Sequence, residues 1–135
     1  MKCILTFLAS ILTFLGLDAV WIKFVAQPEL TKIASGYLAA QPNLAAAIIF
    51  YLIYIIGVLF ISLKFSNNPK AAAVNGLMLG VLAYSTYELT NMATLANWSW
   101  KMVILDTTWG GILTAVTCSV GYRAYSKLNK TGKKA

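Results

Sequence analysis

The chain has no histidine, and only four of its 135 residues are carboxylates. The first absence removes imidazole general bases, His-ligated zinc and His-ligated haem. Neither a serine-nucleophile motif nor a His-Glu-x-x-His metal motif is present, and no cofactor motif is found, so no cofactor is expected. Cysteine is limited to Cys3 and Cys118. Both fall toward the same side of the topology derived below, no lipobox surrounds Cys3, and both read as reduced packing residues. Charge is scarce overall: 11% of residues are charged against 59% apolar. A soluble domain of this size needs more polar surface than that.

What is present in excess is long hydrophobic runs, with a mean hydropathy of +0.72. Four stretches approach or exceed the roughly 20 residues that cross a bilayer core: about Ile4 to Val25, Leu44 to Leu63, Ala71 to Asn91 and Met102 to Tyr122. The first could be a signal peptide behind Lys2. Its apolar run continues past Asp18 to Val25, however, with no small-x-small cleavage pattern, so it reads as a retained helix. The expected fold is therefore all-α, a membrane-embedded four-helix bundle, with residues 1–125 as one four-span domain and 126–135 as a basic tail.

Net charge is +7. Eight basic residues (Lys2, Lys64, Lys70, Arg123, Lys127, Lys130, Lys133, Lys134) fall on the side shared by the termini, and three (Lys23, Lys32, Lys101) on the other. That asymmetry is the positive-inside bias, which places both termini in the cytoplasm. The tail then reads as a disordered, lipid-facing anchor rather than a nucleic-acid contact. Membrane lipid is the expected partner, and a homodimer is compatible with so small a bundle.

The connections carry matching signals. Pro42 and Asn43 mark the start of the second span, and Asn67, Asn68 and Pro69 make a turn between two lysines. The outer loop from Ala26 to Asn43 has room for an interfacial helix around Pro28 to Leu38. Trp98, Trp100, Tyr122 and Tyr125 fall at aromatic-belt positions, and Lys23 and Lys101 at the outer rim read as snorkelling to headgroups.

Three of the four acids, Asp18, Glu88 and Asp106, lie inside expected spans. An ionised carboxylate in hydrocarbon is costly, so such residues face a protein interior or a wet cavity. With a rise of about 1.5 Å per residue, Asp18 falls about 6 Å outward of its span's centre, Glu88 about 10 Å and Asp106 about 8 Å. All three share the outer half of the bundle.

Helical faces agree with depth. Tyr84, Tyr87, Glu88 and Asn91 recur at the spacing of one face, behind a Gly76-x-x-x-Gly80 pair that permits close backbone approach. Asp106, Trp109, Gly110, Leu113, Thr114 and Thr117 form a second stripe, and Phe14, Asp18, Trp21 and Ile22 a third. Tyr51 and Tyr54 add hydroxyls from the second span, with Thr90 and Thr107 as further candidates. The expectation is one outward-facing acidic pocket holding Asp18, Trp21, Tyr51, Tyr54, Tyr84, Tyr87, Glu88, Asn91, Asp106 and Trp109.

An excess of acids over bases implies either protonated carboxyls or a bound cation. The first functional reading is therefore binding or transport of a cation or cationic small molecule, with proton exchange on the carboxylates as an option. Asp18, Glu88 and Asp106 would be the oxygen ligands if the cation were a metal. An alternative is a lipid- or isoprenoid-binding protein or enzyme using Asp18 and Glu88 as an acid/base pair on a hydrophobic molecule; a further one is an assembly subunit whose polar cluster fixes helix register. No catalytic residue is assigned in the first reading.

The run Thr86-Tyr87-Glu88-Leu89-Thr90-Asn91-Met92-Ala93-Thr94-Leu95, closing on Trp98, resembles the signature of a family of small bacterial four-helix membrane proteins, domain of unknown function 2177. Leu17-Asp18-Ala19-Val20-Trp21, Phe50-Tyr51-Leu52-Ile53-Tyr54 followed by Gly57, and Asp106 with Trp109-Gly110 resemble its other motifs. The resemblance implies the fold and a location in the inner membrane, and no chemistry. It departs at Glu88, where the family pattern has Asp.

Overall fold

The computed structural model describes residues 2–34, 36 and 41–131. Among the described residues there are only helices. Helix α1 spans Lys2–Trp21 and passes through a π-helical turn, Ile22–Ala26, into α2, Gln27–Ala34. Then follow α3 (Leu44–Lys64), α4 (Pro69–Thr94) and α5 (Trp100–Thr131). The long helices α1, α3, α4 and α5 form a four-helix membrane bundle.

Local chemistry sets the helix starts. Asn43 Oδ1 accepts the Ala46 amide at 3.1 Å, and Asn68 Oδ1 accepts the Ala71 amide at 2.9 Å with Pro69 at the first helical position. Such side chains satisfy amides that the helix itself leaves unpaired, and proline has no amide to satisfy there. Ser99 does the same for α5, accepting from Met102 at 3.2 Å.

Three helical segments are long and apolar enough to cross a membrane: Lys2–Ala34, Leu44–Lys64 and Trp100–Lys130. Helix α4, at 26 residues, has the length but not the hydropathy. Its polar residues explain the shortfall. Its one acid, Glu88, is buried with Gly76 and Gly80, while Thr86, Tyr87 and Thr90 are exposed beside Val74, Met78, Leu82 and Leu89, so the carboxylate, though not every polar group, is turned into the protein.

Two sequence expectations change here. The chain does not break between Val25 and the expected outer helix: α1 passes without a loop through the π turn into α2, Gln27–Ala34. Residues 35 and 37–40 of the expected Pro28 to Leu38 helix lie outside the described residues. The tail from Ser126 is not an unstructured anchor, because α5 runs on to Thr131; residues 132–135 lie outside the described residues. Lys2 Nζ reaches Asn129 Oδ1 at 3.4 Å, so both ends of the chain meet at one end of the bundle.

The core is layered along the bundle axis. Val58, Ala72 and Cys118 pack at the inner end, Phe14, Ile55 and Leu113 in the middle, and Ala26, Trp98, Met102 and Val103 at the outer end. On α1 the buried residues Thr6, Ser10, Phe14 and Asp18 recur every four positions, a single ridge facing α5. Helix α3 contributes Val58 and Ile55 to the inner and middle layers and nothing to the outer one. Its outer half therefore stands away from the bundle.

Glycine fixes the α4–α5 contact. A Cβ at Gly76 would lie 2.6 Å from Thr114 O, and one at Gly80 would collide with Gly110 O. A Cβ at Gly110 would collide with the Tyr84 ring. The Gly-x-x-x-Gly pair is thus used within one chain. Cys118 is buried as expected, but Cys3 is exposed and is no packing residue.

Candidate functional site

Where α3 leaves the bundle, a cavity of about 470 Å³ opens. Its wall takes Asp18, Trp21, Ile22 and Ala26 from α1 and the π turn, and Leu30 from α2. Helix α3 adds Phe50, Tyr51 and Tyr54, α4 adds Ala83, Tyr84 and Tyr87, and α5 adds Met102 and Asp106. Ile22, Phe50 and Tyr87 are 41%, 47% and 55% exposed. These three bring part of the wall to the surface of the molecule, where exposed apolar side chains such as Ile49, Ile53 and Val20 also lie. The π turn supplies two wall residues, in keeping with the frequent placement of such turns at functional sites.

Each intramembrane carboxylate accepts an indole N–H. Trp21 Nε1 donates to Asp106 Oδ1 at 2.9 Å, Trp109 Nε1 to Asp18 Oδ1 at 3.4 Å, and Trp98 Nε1 to Glu88 Oε2 at 2.8 Å. The first two bonds are reciprocal. Asp18 and Trp21 stand three residues apart on α1, Asp106 and Trp109 three apart on α5, and each helix's tryptophan serves the other's aspartate. The two indoles stack at 4.8 Å with 6° between their planes. Tyr51 Oη adds a second bond to Asp18, at 2.9 Å to Oδ2, while Tyr54 pairs instead with Thr114 at 2.8 Å.

These donors are neutral. They orient a carboxylate and disperse its charge, but they cannot cancel it. Among the described residues no lysine or arginine lines the cavity. At the outer rim Glu29 Oε1 takes Lys101 at 2.8 Å and Lys32 at 2.9 Å, so Lys101 is held by a carboxylate rather than snorkelling to lipid. Lys101 first and Lys32 second hold the Glu29 carboxyl below its usual range. This clasp fastens α2 to the start of α5, above the cavity.

The structure brings Asp18, Trp21, Tyr51, Tyr54, Tyr84, Tyr87 and Asp106 around one space. Glu88, Asn91 and Trp109 are not in its wall. Glu88 is fully buried behind it, within hydrogen-bonding reach of Asp106. Asn91 sits beside Tyr87, and Trp109 lies between the stack and the middle core layer. Thr90 bonds its own helix at Thr86 O, 2.6 Å away, and Thr107 also lies outside the wall.

Among the described residues no three Asp, Glu or Cys side chains form a group able to hold a metal ion. Asp18, Glu88 and Asp106 therefore do not make the shared metal ligand set considered from the sequence: Glu88 stands behind Asp106, while Asp18 is engaged separately by Tyr51 and Trp109. Trp98 is the residue the belt pattern misplaced: it is 8% exposed and bonded to Glu88. Ten positions from Glu88 and outside any helix, it offered no register to read, although the family signature closes on it.

No curated protein and no solved structure matches the chain. A family model described as a predicted membrane protein, DUF2177, matches residues 3–123, which include every residue of the cavity wall and all of the helices but the first residue of α1 and the last eight of α5. The chain belongs to the DUF2177 family of membrane proteins.

Proposed function

We propose that this membrane protein binds lipophilic organic cations in the cavity between α3 and the other helices, admitting them sideways from the lipid. The observation that carries this reading is that Asp18 and Asp106 face a mainly apolar, aromatic space that contains no basic side chain among the described residues. A carboxylate in such surroundings recruits a positive charge, and aromatic faces attract organic cations. Entry from the apolar surface favours a molecule that already partitions into hydrocarbon. Four crossings of a bacterial inner membrane, with both termini in the cytoplasm, fit the charge asymmetry, and transport across that membrane is the natural use of such a site.

The test uses tetraphenylphosphonium and its anionic counterpart tetraphenylborate with the purified protein in lipid nanodiscs. The cation is expected to bind and the anion not. Asp18→Asn and Asp106→Asn should each weaken cation binding tenfold or more, about 1.4 kcal/mol. Equal binding of both ions, or unchanged binding in both variants, would overturn the reading. The wall's exposure at the apolar surface also favours a second, narrower reading, that the natural ligand is a membrane amphiphile.

A further inference from the structure

We propose that Glu88 and Asp106 hold one proton between them and release it when a cation occupies the cavity, so that the protein exchanges protons for cations. This rests on the cavity reading and adds a second ligand, the proton, with its own site. The geometry has two parts. Glu88 is 0% exposed, its Oε2 takes the Trp98 N–H at 2.8 Å, and its Oε1 is buried with no hydrogen-bond donor among the described residues. The neighbour within reach is the carboxyl of Asp106, whose Oδ1 already accepts from Trp21.

Two ionised carboxylates are acceptors only, so they hydrogen-bond each other only when a proton lies between them. A shared proton satisfies the orphaned oxygen and removes the repulsion of two like charges. A neutral donor could satisfy the oxygen, but only a proton also removes the repulsion. Around the pair stand the Trp98 and Trp21 indoles, Asp18 from α1, and Tyr84 and Tyr87 from α4, while Tyr51 and Tyr54 from α3 bond Asp18 and Thr114. Lys23 lies over the Phe24 ring, and Glu29, Lys32 and Lys101 are engaged with one another at the rim. Among the described residues no lysine or arginine forms an ion pair with either carboxyl.

The division of labour follows from position. Asp106 is in the cavity wall and Glu88 is behind it. A cation arriving between Asp18 and Asp106 compensates the charge that the proton had compensated. The O–H bond of the pair then breaks, and the proton passes from Asp106 to water entering the cavity, which carries it to the aqueous side. One positive charge enters and one departs, so the buried site keeps its net charge. Trp98 acts as a positioning residue that holds Glu88 against Asp106.

The first measurement needs no ligand. Infrared spectra of the unliganded protein at neutral pH should contain a carboxylic acid C=O band that shifts in heavy water and disappears in Glu88→Gln. The same loss is expected in Asp106→Asn, which guards against a folding defect in either variant alone. The second measures proton release with a pH dye in weak buffer on adding tetraphenylphosphonium. The wild type should release a proton per cation, and its apparent affinity should rise about tenfold per pH unit; Glu88→Gln should lose both the release and the slope. Absence of the acid band, its persistence in both variants, or cation binding without proton release would overturn the proposal. An acid band without any cation binding would overturn the cavity reading and the exchange, and leave the shared proton standing.

Discussion

At the scale of single residues, the site is built from acids and indoles in equal number. Asp18, Glu88 and Asp106 each accept one tryptophan N–H, so three of the four tryptophans do polar work inside the bundle. Trp21→Phe keeps the ring for stacking on Trp109 but removes the donor to Asp106. Leaving a buried acceptor short of its partner costs about 1–3 kcal/mol, so the variant should unfold earlier in thermal scans in detergent. Stability equal to the wild type would show that water replaces the indole. The acids were legible from the sequence because a carboxylate among apolar residues has few physical explanations. The tryptophans were half legible: Trp21 and Trp109 share a helical face with an aspartate, whereas Trp98 lies in a turn where periodicity says nothing.

At the scale of elements, two contacts hold the frame. Gly76 and Gly80 let α4 meet α5 backbone to backbone, and Gly110 makes room for the Tyr84 ring. Gly110→Ala forces a methyl into that ring, and overpacking of this kind costs about 1–3 kcal/mol. Gly57, although part of a family-like motif, has open space where a Cβ would be. Gly57→Ala should change stability by less than about 0.5 kcal/mol; thermal melts of the pair of variants decide between packing and mere helix composition. The other contact is the clasp of Glu29 on Lys101 and Lys32. Its lowered carboxyl pKa means that the stabilisation is full above the ordinary glutamate range and is lost as pH falls through the lowered value. Glu29→Gln should therefore melt slightly below the wild type at neutral pH, with the difference closing in acid; a pH-independent difference would show that the clasp is not ionic. The clasp was not legible in advance, because Glu29 and Lys101 are 72 positions apart and belong to no common pattern.

At the scale of the whole molecule, four helices and their caps follow from hydropathy and from Asn43, Asn68 and Pro69, while the splay of α3 does not. Its sequence is apolar on every side, with Leu44, Ile48, Ile49, Phe50 and Ile53 all exposed. Tyr51 and Tyr54 mark its inward face, but nothing in such a run says which half is to pack. The expected orientation rests on the count of lysines and arginines on the two sides, which the pairing of Lys32 and Lys101 with Glu29 leaves unchanged. A fluorescent protein fused to either terminus should glow and alkaline phosphatase fused there should stay inactive; an active phosphatase would reverse the topology. The claim on which the rest depends is that the cavity is a site for positive charge. Titration of tetraphenylphosphonium into nanodisc-embedded wild type, Asp18→Asn and Asp106→Asn tests it most directly. Saturable binding that weakens at least tenfold in both variants is expected, and binding unchanged by removal of either carboxylate would contradict it.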